Sequence, residues 1–391
     1  MIKFEEALKI VTDSSFTVGK ETIPFTSSLG RVLSSAVKSD MEMPPWNRSA
    51  VDGYACRLSD LDKPLTVLEI IAAGKEPVME ISEGTCSRIM TGAALPVGAD
   101  HVFMFEDSQV LEDGKVIFTG KPGKSHFSPA GSDVREGEVV LSPGRLIRPQ
   151  DIAVMAMTGT TEVTVSCKVK IGVISTGNEI VEPDVKPSKS QIRNSNAWQL
   201  LAQIIRAGGI GRYYGIAPDE KEATVKLLKQ AIEENDVVLI SGGVSEGDFD
   251  FVPAAIKSLG LAIHFDMVAV QPGKPLTFCT GNRKIVFGLP GNPVSTFVQF
   301  EVMVRPLLAK MTGLKEEEIS VQMPLGTDYS RKRADRMAWI PVAVNKSGEA
   351  IPVEYHGSAH ITALPKAWGI VAIPRGQSWI QKGEMVSVRP V

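Results

Sequence analysis

The segment Val169-Lys-Ile-Gly-Val-Ile-Ser-Thr-Gly-Asn-Glu179 is an apolar run that ends in a glycine turn. Two more segments of this kind follow. Residues 237–240 lead into Ser241-Gly-Gly-Val-Ser-Glu-Gly-Asp-Phe-Asp250, and residues 284–287 lead into Gly288-Leu-Pro-Gly-Asn-Pro-Val-Ser295. Each short apolar run is typical of a buried parallel strand. Helical patterns separate the runs, at residues 195–207, 219–234 and 251–259. The alternation predicts an α/β sheet with helical crossovers.

The carboxyl ends of parallel strands meet at one edge of a sheet, so the three turns are expected to form one crevice walled by backbone N–H groups. Glycine lets such a backbone approach an anion closely and adopt a positive φ. The carboxylates of Glu179, Asp248 and Asp250 in these loops suit a hard cation such as Mg²⁺. The pattern favours a site for nucleotides or phosphate esters, and ordinary tight turns of an α/β fold are the alternative.

Two further features of the same region suit an oxyanion. Gln271-Pro-Gly-Lys-Pro275 is a stiff turn that presents Lys274 as a compact cation, although a plain surface lysine is the alternative. Pro293 suits the first position of a helix that Asn292 can cap. Free N–H groups at this helix start, together with the Ser295 hydroxyl, would bind an anion, unless the turn serves only as a cap.

The pattern of strand-like and helical segments divides the chain into four parts. We expect a split linker domain at residues 1–38 and 141–167, an inserted β-rich domain at 39–140, an α/β domain at 168–313 and a C-terminal β-barrel at 314–391. The fold class is therefore multidomain α/β plus β. In the insertion, Trp46 and Tyr54 could stack on a planar ring while Asp52 accepts hydrogen bonds from it. A turn packed by its own aromatic side chains is the alternative.

Bulk properties exclude several function classes. The net charge of −3 argues against a dedicated nucleic-acid binder, and no apolar run is long enough to span a membrane. The four cysteines are widely spaced, and the N-terminus does not resemble a secretory signal, so we expect reduced thiols in a cytoplasmic protein. No P-loop, dinucleotide fingerprint or nucleophile elbow is present. His356 and His360 lie four apart, but in a segment that is not convincingly helical, which makes a zinc site improbable.

Six motifs, in order, resemble the molybdopterin molybdenumtransferase family, whose eukaryotic relatives are the E domains of plant molybdenum-cofactor proteins and gephyrin. The resemblance covers nearly the whole chain. The motifs are Pro45-Trp-Asn-Arg-Ser-Ala-Val-Asp-Gly-Tyr-Ala55, Ile89-Met-Thr-Gly-Ala93, Ser175-Thr-Gly-Asn-Glu179, residues 241–250, Pro272-Gly-Lys-Pro275 and residues 288–295.

The resemblance implies that molybdate is inserted into adenylylated molybdopterin with release of AMP, with Mg²⁺ as cofactor. It also implies a homodimer whose active site lies between the α/β domain of one subunit and the insertion of the other. A transient contact with the molybdopterin adenylyltransferase is expected as well.

Roles follow from the resemblance residue by residue. Glu179 and Asp250 would hold Mg²⁺, with Asp219 nearby. Lys274 and Ser295 would hold molybdate, and Asp52 and Thr91 would contact the pterin or its nucleotide across the dimer. The remaining substrate-binding positions are Asp133, Ser175, Gly177, Gly242, Gly243, Ser245, Gly273, Pro290, Gly291, Asn292, Arg336 and Ser358.

The chain departs from the family pattern at two places. Gln271 stands where the family often has a lysine, which puts the affinity for molybdate, or the preference over tungstate, in question. Where the family usually has a Gly-Arg pair, this chain has Asp335-Arg336. Arg336 is therefore the candidate arginine for binding molybdate, and Arg333 is the alternative. The rival functions are a tungstate-preferring insertase, a gephyrin-like scaffold without catalysis, and a nucleotide pyrophosphatase or adenylyltransferase.

Overall fold

The computed structural model describes residues 1–217, 220–243, 255–256, 258–315, 319–354 and 356–391. The chain begins with helix α1 (Phe4–Asp13), followed by strands β1 (Lys20–Pro24) and β2 (Val37–Lys38). Phe4, Ala7 and Val11 recur at helical spacing and are buried in the core of the α/β domain, although the sequence grouped this helix with the linker. The backbone of Ile2 bonds to Met267 and Ala269, which ties the N-terminus to that domain.

The inserted region contains short strands. They are β3 (Arg48–Ser49), β4 (Gly53–Cys56), β5 (Thr66–Ile71), β6 (Thr85–Ile89), β7 (His101–Met104), β8 (Ser108–Val110), β9 (Val116–Phe118) and β10 (Phe127–Ser128). Strands β5, β6, β4 and β7 form one sheet in that order, and β8–β9 and β10–β3 form two-stranded pairs. The chain then returns through β11 (Val139–Leu141), helix α2 (Pro149–Met157) and β12 (Glu162–Ser166). Because β12 pairs with β1 and β11 pairs with β2, the segments on either side of the insertion form one unit.

The α/β domain alternates strands and helices as the turns predict. Its elements are β13 (Lys170–Thr176), β14 (Ile180–Val181), β15 (Ile192–Arg193), α3 (Asn196–Arg206), β16 (Ile210–Ala217), α4 (Lys221–Glu234), β17 (Val237–Ser241), β18 (Ala262–Met267), β19 (Val270–Gln271), β20 (Pro275–Gly281), β21 (Lys284–Leu289), α5 (Pro293–Gln299), a π-helical turn (Phe300–Val304) and α6 (Arg305–Thr312). The main sheet has the order β16-β13-β17-β21-β20-β18. Helices α3, α5 and α6 pack on one face of the sheet and α4 on the other.

The strands of this domain differ from the sequence pattern in two respects. Residues 263–270 have the pattern of one strand, but the structure has two, because the chain turns after β18 and the next strand, β19, pairs with the C-terminal domain. Strands β16 and β20 were not anticipated. The helix expected at 251–259 lies largely outside the described residues.

The C-terminal region is β-rich. Its strands are β22 (Val321–Pro324), β23 (Tyr329–Ser330), β24 (Met337–Val344), β25 (Ala350–Pro352), β26 (Gly369–Ile373), β27 (Trp379–Ile380) and β28 (Met385–Pro390). Strands β19, β24, β26, β28 and β22 are neighbours in that order, with β25 beside β24. A strand of the α/β domain therefore belongs to the sheet of the next domain.

The multidomain α/β plus β class is confirmed, whereas the closed barrel stays a prediction. Short 3₁₀ helices complete the described structure, at Phe25–Ser27, Leu58–Asp60, Phe105–Asp107 and Ile361–Lys366. A membrane-crossing helix, which must be both long and apolar, was not found in the described part of the chain.

Candidate active site

The three glycine turns begin side by side at the carboxyl edge of the main sheet, where the second turn is described as far as Gly243. Strands β13, β17 and β21 are adjacent and parallel, with Ser175 opposite Ser241 and Ser241 opposite Leu289. The turns that follow are therefore neighbours, and the N–H of Gly242 donates to the carbonyl of Leu289 at 3.1 Å. The expected crevice is present, and it arises because the three strands end in register.

A cavity of about 630 Å³ lies between the turns. The start of α3 forms one side of it, and a loop of the C-terminal domain reaches the other. The lining residues are Ser175, Thr176, Gly177, Glu179, Ile180, Ile192, Arg193, Asn194, Ser195, Asn196, Ser241, Gly242, Gly243, Gly291, Asn292, Pro293, Ala359 and Ile361.

Two glycines of the cavity wall are required by the local geometry. Gly242 has φ +93°, and a side-chain carbon there would lie 2.8 Å from the carbonyl oxygen of Thr176. Gly177 has φ +131°, and a carbon there would lie 2.5 Å from the Glu179 carboxylate. A larger residue would therefore be strained and would fill the space between the turns.

Buried polar atoms without partners mark the cavity wall. The amide nitrogen of Asn196 donates to Ser241 Oγ and to the carbonyl of Gly291, both at 2.7 Å, which ties two of the turns together. Among the described residues, neither Asn196 Oδ1 nor the buried hydroxyl of Thr176 has a hydrogen-bond partner. Because buried polar atoms are nearly always paired, these two are suited to contact a ligand.

Sequence reasoning missed Asn196 and Thr176. The available signal was the polar run Arg193-Asn-Ser-Asn196 directly before the helix that follows the first strand. In the structure this run starts α3 at the cavity, and the side chain of Asn194, not Ser195, bonds to the N–H of Ala197.

The predicted metal site is described in part. Glu179 lines the cavity, as expected for a carboxylate in the first turn. Asp219, Ser245, Asp248 and Asp250 lie outside the described residues, so the pairing of Glu179 with Asp248 or Asp250 stays a prediction. Within the described ranges no cluster of three His, Cys, Asp or Glu side chains is arranged to hold a metal ion.

Lys274 and Arg336, which together we call the cationic corner, come from different domains. Lys274 directly precedes β20, which runs antiparallel to β21 and so begins at the edge where β21 ends. Its side chain is exposed, and Gln299 holds the preceding residue by donating to the carbonyl of Gly273 at 2.7 Å. Arg336 donates to the carbonyl of Val270 at 3.5 Å, so the C-terminal domain brings a guanidinium group to the hairpin that carries Lys274.

The start of α5 is less open than expected. The N–H of Val294 donates to the carbonyl of Ser358 at 3.0 Å, so a C-terminal loop already uses this donor. The side chain of Ser295 is buried, and Asn292 makes no capping hydrogen bond with its side chain. The expectation of a helix start with free N–H groups is therefore wrong at Val294, and the predicted side-chain cap at Asn292 is wrong as well.

The structure brings Asp52 and Thr91 together within the insertion. Asp52 Oδ1 accepts hydrogen bonds from the N–H of Thr91 at 2.7 Å and from its hydroxyl at 2.9 Å. These bonds hold the pKa of Asp52 below the usual 3.8, so the side chain is an exposed anion at neutral pH. As the pH falls through this lowered pKa, the anion and its stabilising contribution are lost.

The structure also shows the exposure and contacts of the other insertion residues that the sequence singled out. Trp46 is exposed, whereas Tyr54 is buried and packs against Phe103 and Phe105, so the idea that Tyr54 stacks on a ligand ring is wrong. Asp133 is exposed, and its N–H donates to the carbonyl of Met43 at 2.9 Å. No described residue of the insertion lines the cavity of the same chain.

Buried cysteines do not provide a nucleophile. Burial raises the pKa of the Cys56, Cys86 and Cys279 thiols to about 12, so these side chains are protonated at neutral pH. This fits an active site that works by binding and charge neutralisation.

Comparison with known proteins decides the family. Three family models match in order: the MoeA N-terminal region (domain I and II) at residues 2–159, the probable molybdopterin binding domain at 172–310, and the MoeA C-terminal region (domain IV) at 323–391. The chain is 32% identical to the molybdopterin molybdenumtransferase of Staphylococcus epidermidis, over 99% of this chain and 95% of that protein. It is also 32% identical to the Bacillus subtilis protein of the same name, over 99% and 93%.

The chain belongs to the molybdopterin molybdenumtransferase family. Solved structures agree with this assignment. The molybdopterin biosynthesis MoeA protein of Pyrococcus horikoshii is similar with a TM-score of 0.83 at 32% identity, over 100% of this chain and 99% of that chain. A second structure, of a molybdopterin biosynthesis MoeA protein from Pyrococcus horikoshii OT3, is similar with a TM-score of 0.88 at 29% identity, over 100% of both chains.

The family assignment places the cavity between two matched regions. Most lining residues lie in the segment that matches the molybdopterin binding domain, whereas Ala359 and Ile361 lie in the MoeA C-terminal match. In this molybdenumtransferase-family chain, the central domain therefore supplies the turns and the C-terminal domain closes one side.

Proposed function

We propose that the chain is a molybdopterin molybdenumtransferase that inserts molybdate into adenylylated molybdopterin and releases AMP. The observation that carries this proposal is the convergence of the three glycine turns on one cavity that contains Glu179. Both substrates are anions, and a wall of backbone N–H groups suits them, as do the positive charges of Lys274 and Arg336, which do not themselves line the cavity.

Different parts of the site suit different groups. The glycine turns, with Ser175, Gly177, Gly242, Gly243, Pro290 and Gly291, would bind the phosphates of the adenylylated pterin. Lys274 and Arg336 would hold molybdate, since a lysine provides a compact cation and an arginine a fork of donors. The Thr176 hydroxyl, which is buried without a partner, is available to donate to a phosphate oxygen.

The residues present fit Mg²⁺. The Glu179 carboxylate and the unpaired Oδ1 of Asn196 both lie at the cavity and could each serve as an oxygen ligand to a metal ion. Mg²⁺ prefers hard oxygen ligands of this kind. Asp250 would supply a second carboxylate. A bound Mg²⁺ neutralises phosphate charge and so favours departure of AMP. The protein's own contribution is to position both anions and to neutralise their charge.

Activity with and without molybdate tests the proposal. AMP release from adenylylated molybdopterin should require molybdate, because only an insertase needs the oxyanion. AMP release at the same rate without molybdate would instead indicate a nucleotide pyrophosphatase. Binding of a peptide without any turnover would indicate a gephyrin-like scaffold. Parallel titrations with molybdate and tungstate give the metal preference directly.

Lys274→Ala should raise the molybdate concentration needed for half-maximal activity about ten-fold, because a charge-assisted hydrogen bond contributes roughly 1.5 kcal/mol or more. The effect should shrink at high salt, since the lysine is exposed. Lys346→Ala is the control, because that lysine is exposed in a turn of the C-terminal domain. An unchanged molybdate dependence in Lys274→Ala would remove this residue from the site.

We also propose that the active form is a homodimer in which the insertion of a second copy completes the site. Asp52 presents an ionised carboxylate on the insertion, and Thr91 donates a hydrogen bond to it. Neither residue lines the cavity of its own chain. A second copy placed by two-fold symmetry would bring them to it. A transient contact with the adenylyltransferase that makes the substrate is part of the same proposal.

Mixing two inactive variants tests the shared site. Asp52→Ala and Glu179→Ala should each be inactive alone. After co-expression, about half of the dimers should be mixed and should contain one intact site of two, which restores roughly a quarter of the wild-type activity. If the mixture stays inactive while mixed dimers are present, then the two residues do not act across an interface.

A further inference from the structure

A second pocket opens beside the cavity, at the first turn of α3. We call it the side pocket; it has a volume of about 690 Å³ and is lined by Glu182, Pro183, Asp184, Arg193, Asn194, Ser195 and Trp198. Arg193, Asn194 and Ser195 also line the cavity. The two spaces therefore adjoin each other along these three residues.

Trp198 is the notable residue of the side pocket. Helix α3 buries Ala197, Leu200 and Ile204 against the sheet, but Trp198 points away from that face and remains 48% exposed. A large aromatic side chain that is half exposed beside an anion cavity offers a surface for a planar ring.

The indole ring of Trp198 packs against the ring of Tyr213. Its ring lies 5.6 Å from the ring of Tyr213, with an angle of 50° between the planes. The Tyr213 hydroxyl donates to Glu182 at 2.6 Å and accepts from the Asn194 amide at 2.8 Å. Burial, together with this bond to Glu182, raises the pKa of Tyr213, so the hydroxyl keeps its proton. An ordered aromatic surface loses little side-chain entropy when a ring stacks on it.

Hydrogen bonds connect this support to the cavity. The Ser175 hydroxyl, in the first glycine turn, donates to the Asn194 amide oxygen at 3.1 Å, and Asn194 in turn contacts Tyr213. The side chain of Arg193 is positioned by a bond to the carbonyl of Val185 at 3.2 Å. The pocket thus combines an aromatic ring, a proline, a guanidinium group and the carboxylate of Asp184.

We propose that the side pocket binds the planar heteroaromatic ring of a substrate whose phosphates lie at the glycine turns; this inference rests on the proposed function. The ring stacks on Trp198, and the carboxylate of Asp184 accepts a hydrogen bond from an amino group on the ring. Both a pterin and an adenine have this chemistry, since each is planar and carries an exocyclic amino group.

Calorimetric titrations of the full chain test the proposal with three probes: AMP, ribose 5-phosphate and free pterin. Trp198→Ala should weaken binding of the ring that occupies the pocket about ten-fold, as expected for loss of one stacked base. Trp198→Phe keeps an aromatic surface and should lose no more than about three-fold. Binding of ribose 5-phosphate should not change. The ring whose affinity falls, that of AMP or that of pterin, identifies the occupant.

The control is Trp379→Ala, because Trp379 is exposed to a similar degree but lies in β27 of the C-terminal domain. Equal losses for AMP and ribose 5-phosphate in Trp198→Ala would overturn the proposal, as would undetectable binding of both ring-bearing probes to the wild type. These titrations contain no molybdate. Ring binding that depends on Trp198, combined with AMP release that does not need molybdate, would therefore refute the proposed function and leave the ring site standing.

Discussion

Glu179→Gln should lower the rate of the proposed molybdate-dependent AMP release about 100-fold, because loss of a ligand to the proposed Mg²⁺ would remove roughly 3 kcal/mol of charge stabilisation. Glutamine has nearly the same shape, so the turn that Gly177 permits should be retained. The negative charge at the cavity wall is what the substitution removes. The Mg²⁺ concentration that gives half-maximal rate should rise together with the loss of rate.

Glu233→Gln is the matched control for this experiment. Glu233 is exposed near the end of α4, at the opposite edge of the sheet from the glycine turns. Wild-type rate and wild-type Mg²⁺ dependence in Glu179→Gln would contradict the proposed metal role. Asp250→Asn, tested in parallel, examines the other predicted ligand, which lies outside the described residues.

Glu301→Ala should lower the free energy of unfolding of the α/β domain by about 3 kcal/mol, because it leaves the buried Gln203 amide without its acceptor and two partly exposed arginines without their partner. Glu301 is fully buried in the π-helical turn between α5 and α6. Its carboxylate forms ion pairs with Arg206 and Arg305 and accepts a hydrogen bond from Gln203 at 2.6 Å. The substitution removes this carboxylate and leaves Arg206 and Arg305 without its counter-charge.

Thermal unfolding followed by circular dichroism measures this effect. The midpoint of the transition that contains the α/β domain should fall by roughly 6–12 °C. Glu301→Gln keeps an oxygen that can accept from Gln203 and should therefore be less destabilising than alanine. Lys9→Ala, which removes an exposed ion pair with Asp13, should change the midpoint by little. If Glu301→Ala has the same unfolding midpoint as the wild type, then solvent stabilises the charges of the two arginines and the prediction is wrong.

Local pattern predicted much of the α/β domain. The apolar runs before the turns became β13, β17 and β21, and the helical pattern at 195–207 became α3. Strand β16 was not anticipated because its residues, Ile210–Ala217, alternate with glycines and tyrosines and are only partly buried. An edge strand of this kind has a weak apolar signal.

Site residues that lie within a single glycine turn could be predicted from the sequence. Glu179, Gly177, Gly242 and Gly291 lie where the turn pattern places them. The roles of Thr176 and Asn196 could not be read from the sequence, because an unpaired polar atom is defined only by what surrounds it. The occupied donor at Val294 was likewise hidden, since its acceptor, Ser358, is 64 positions away along the chain.

By itself, the sequence determined where strands β13, β17 and β21 and the glycine turns after them lie, and which residues are charged, because these depend on neighbours along the chain. The tertiary structure decided what meets at the sheet edge. Strand register set the three turns side by side, and the pairing of β19 with β24 brought Arg336 to the hairpin of Lys274. Contacts between distant segments depend on the packing of whole elements, and short-range periodicity does not encode them.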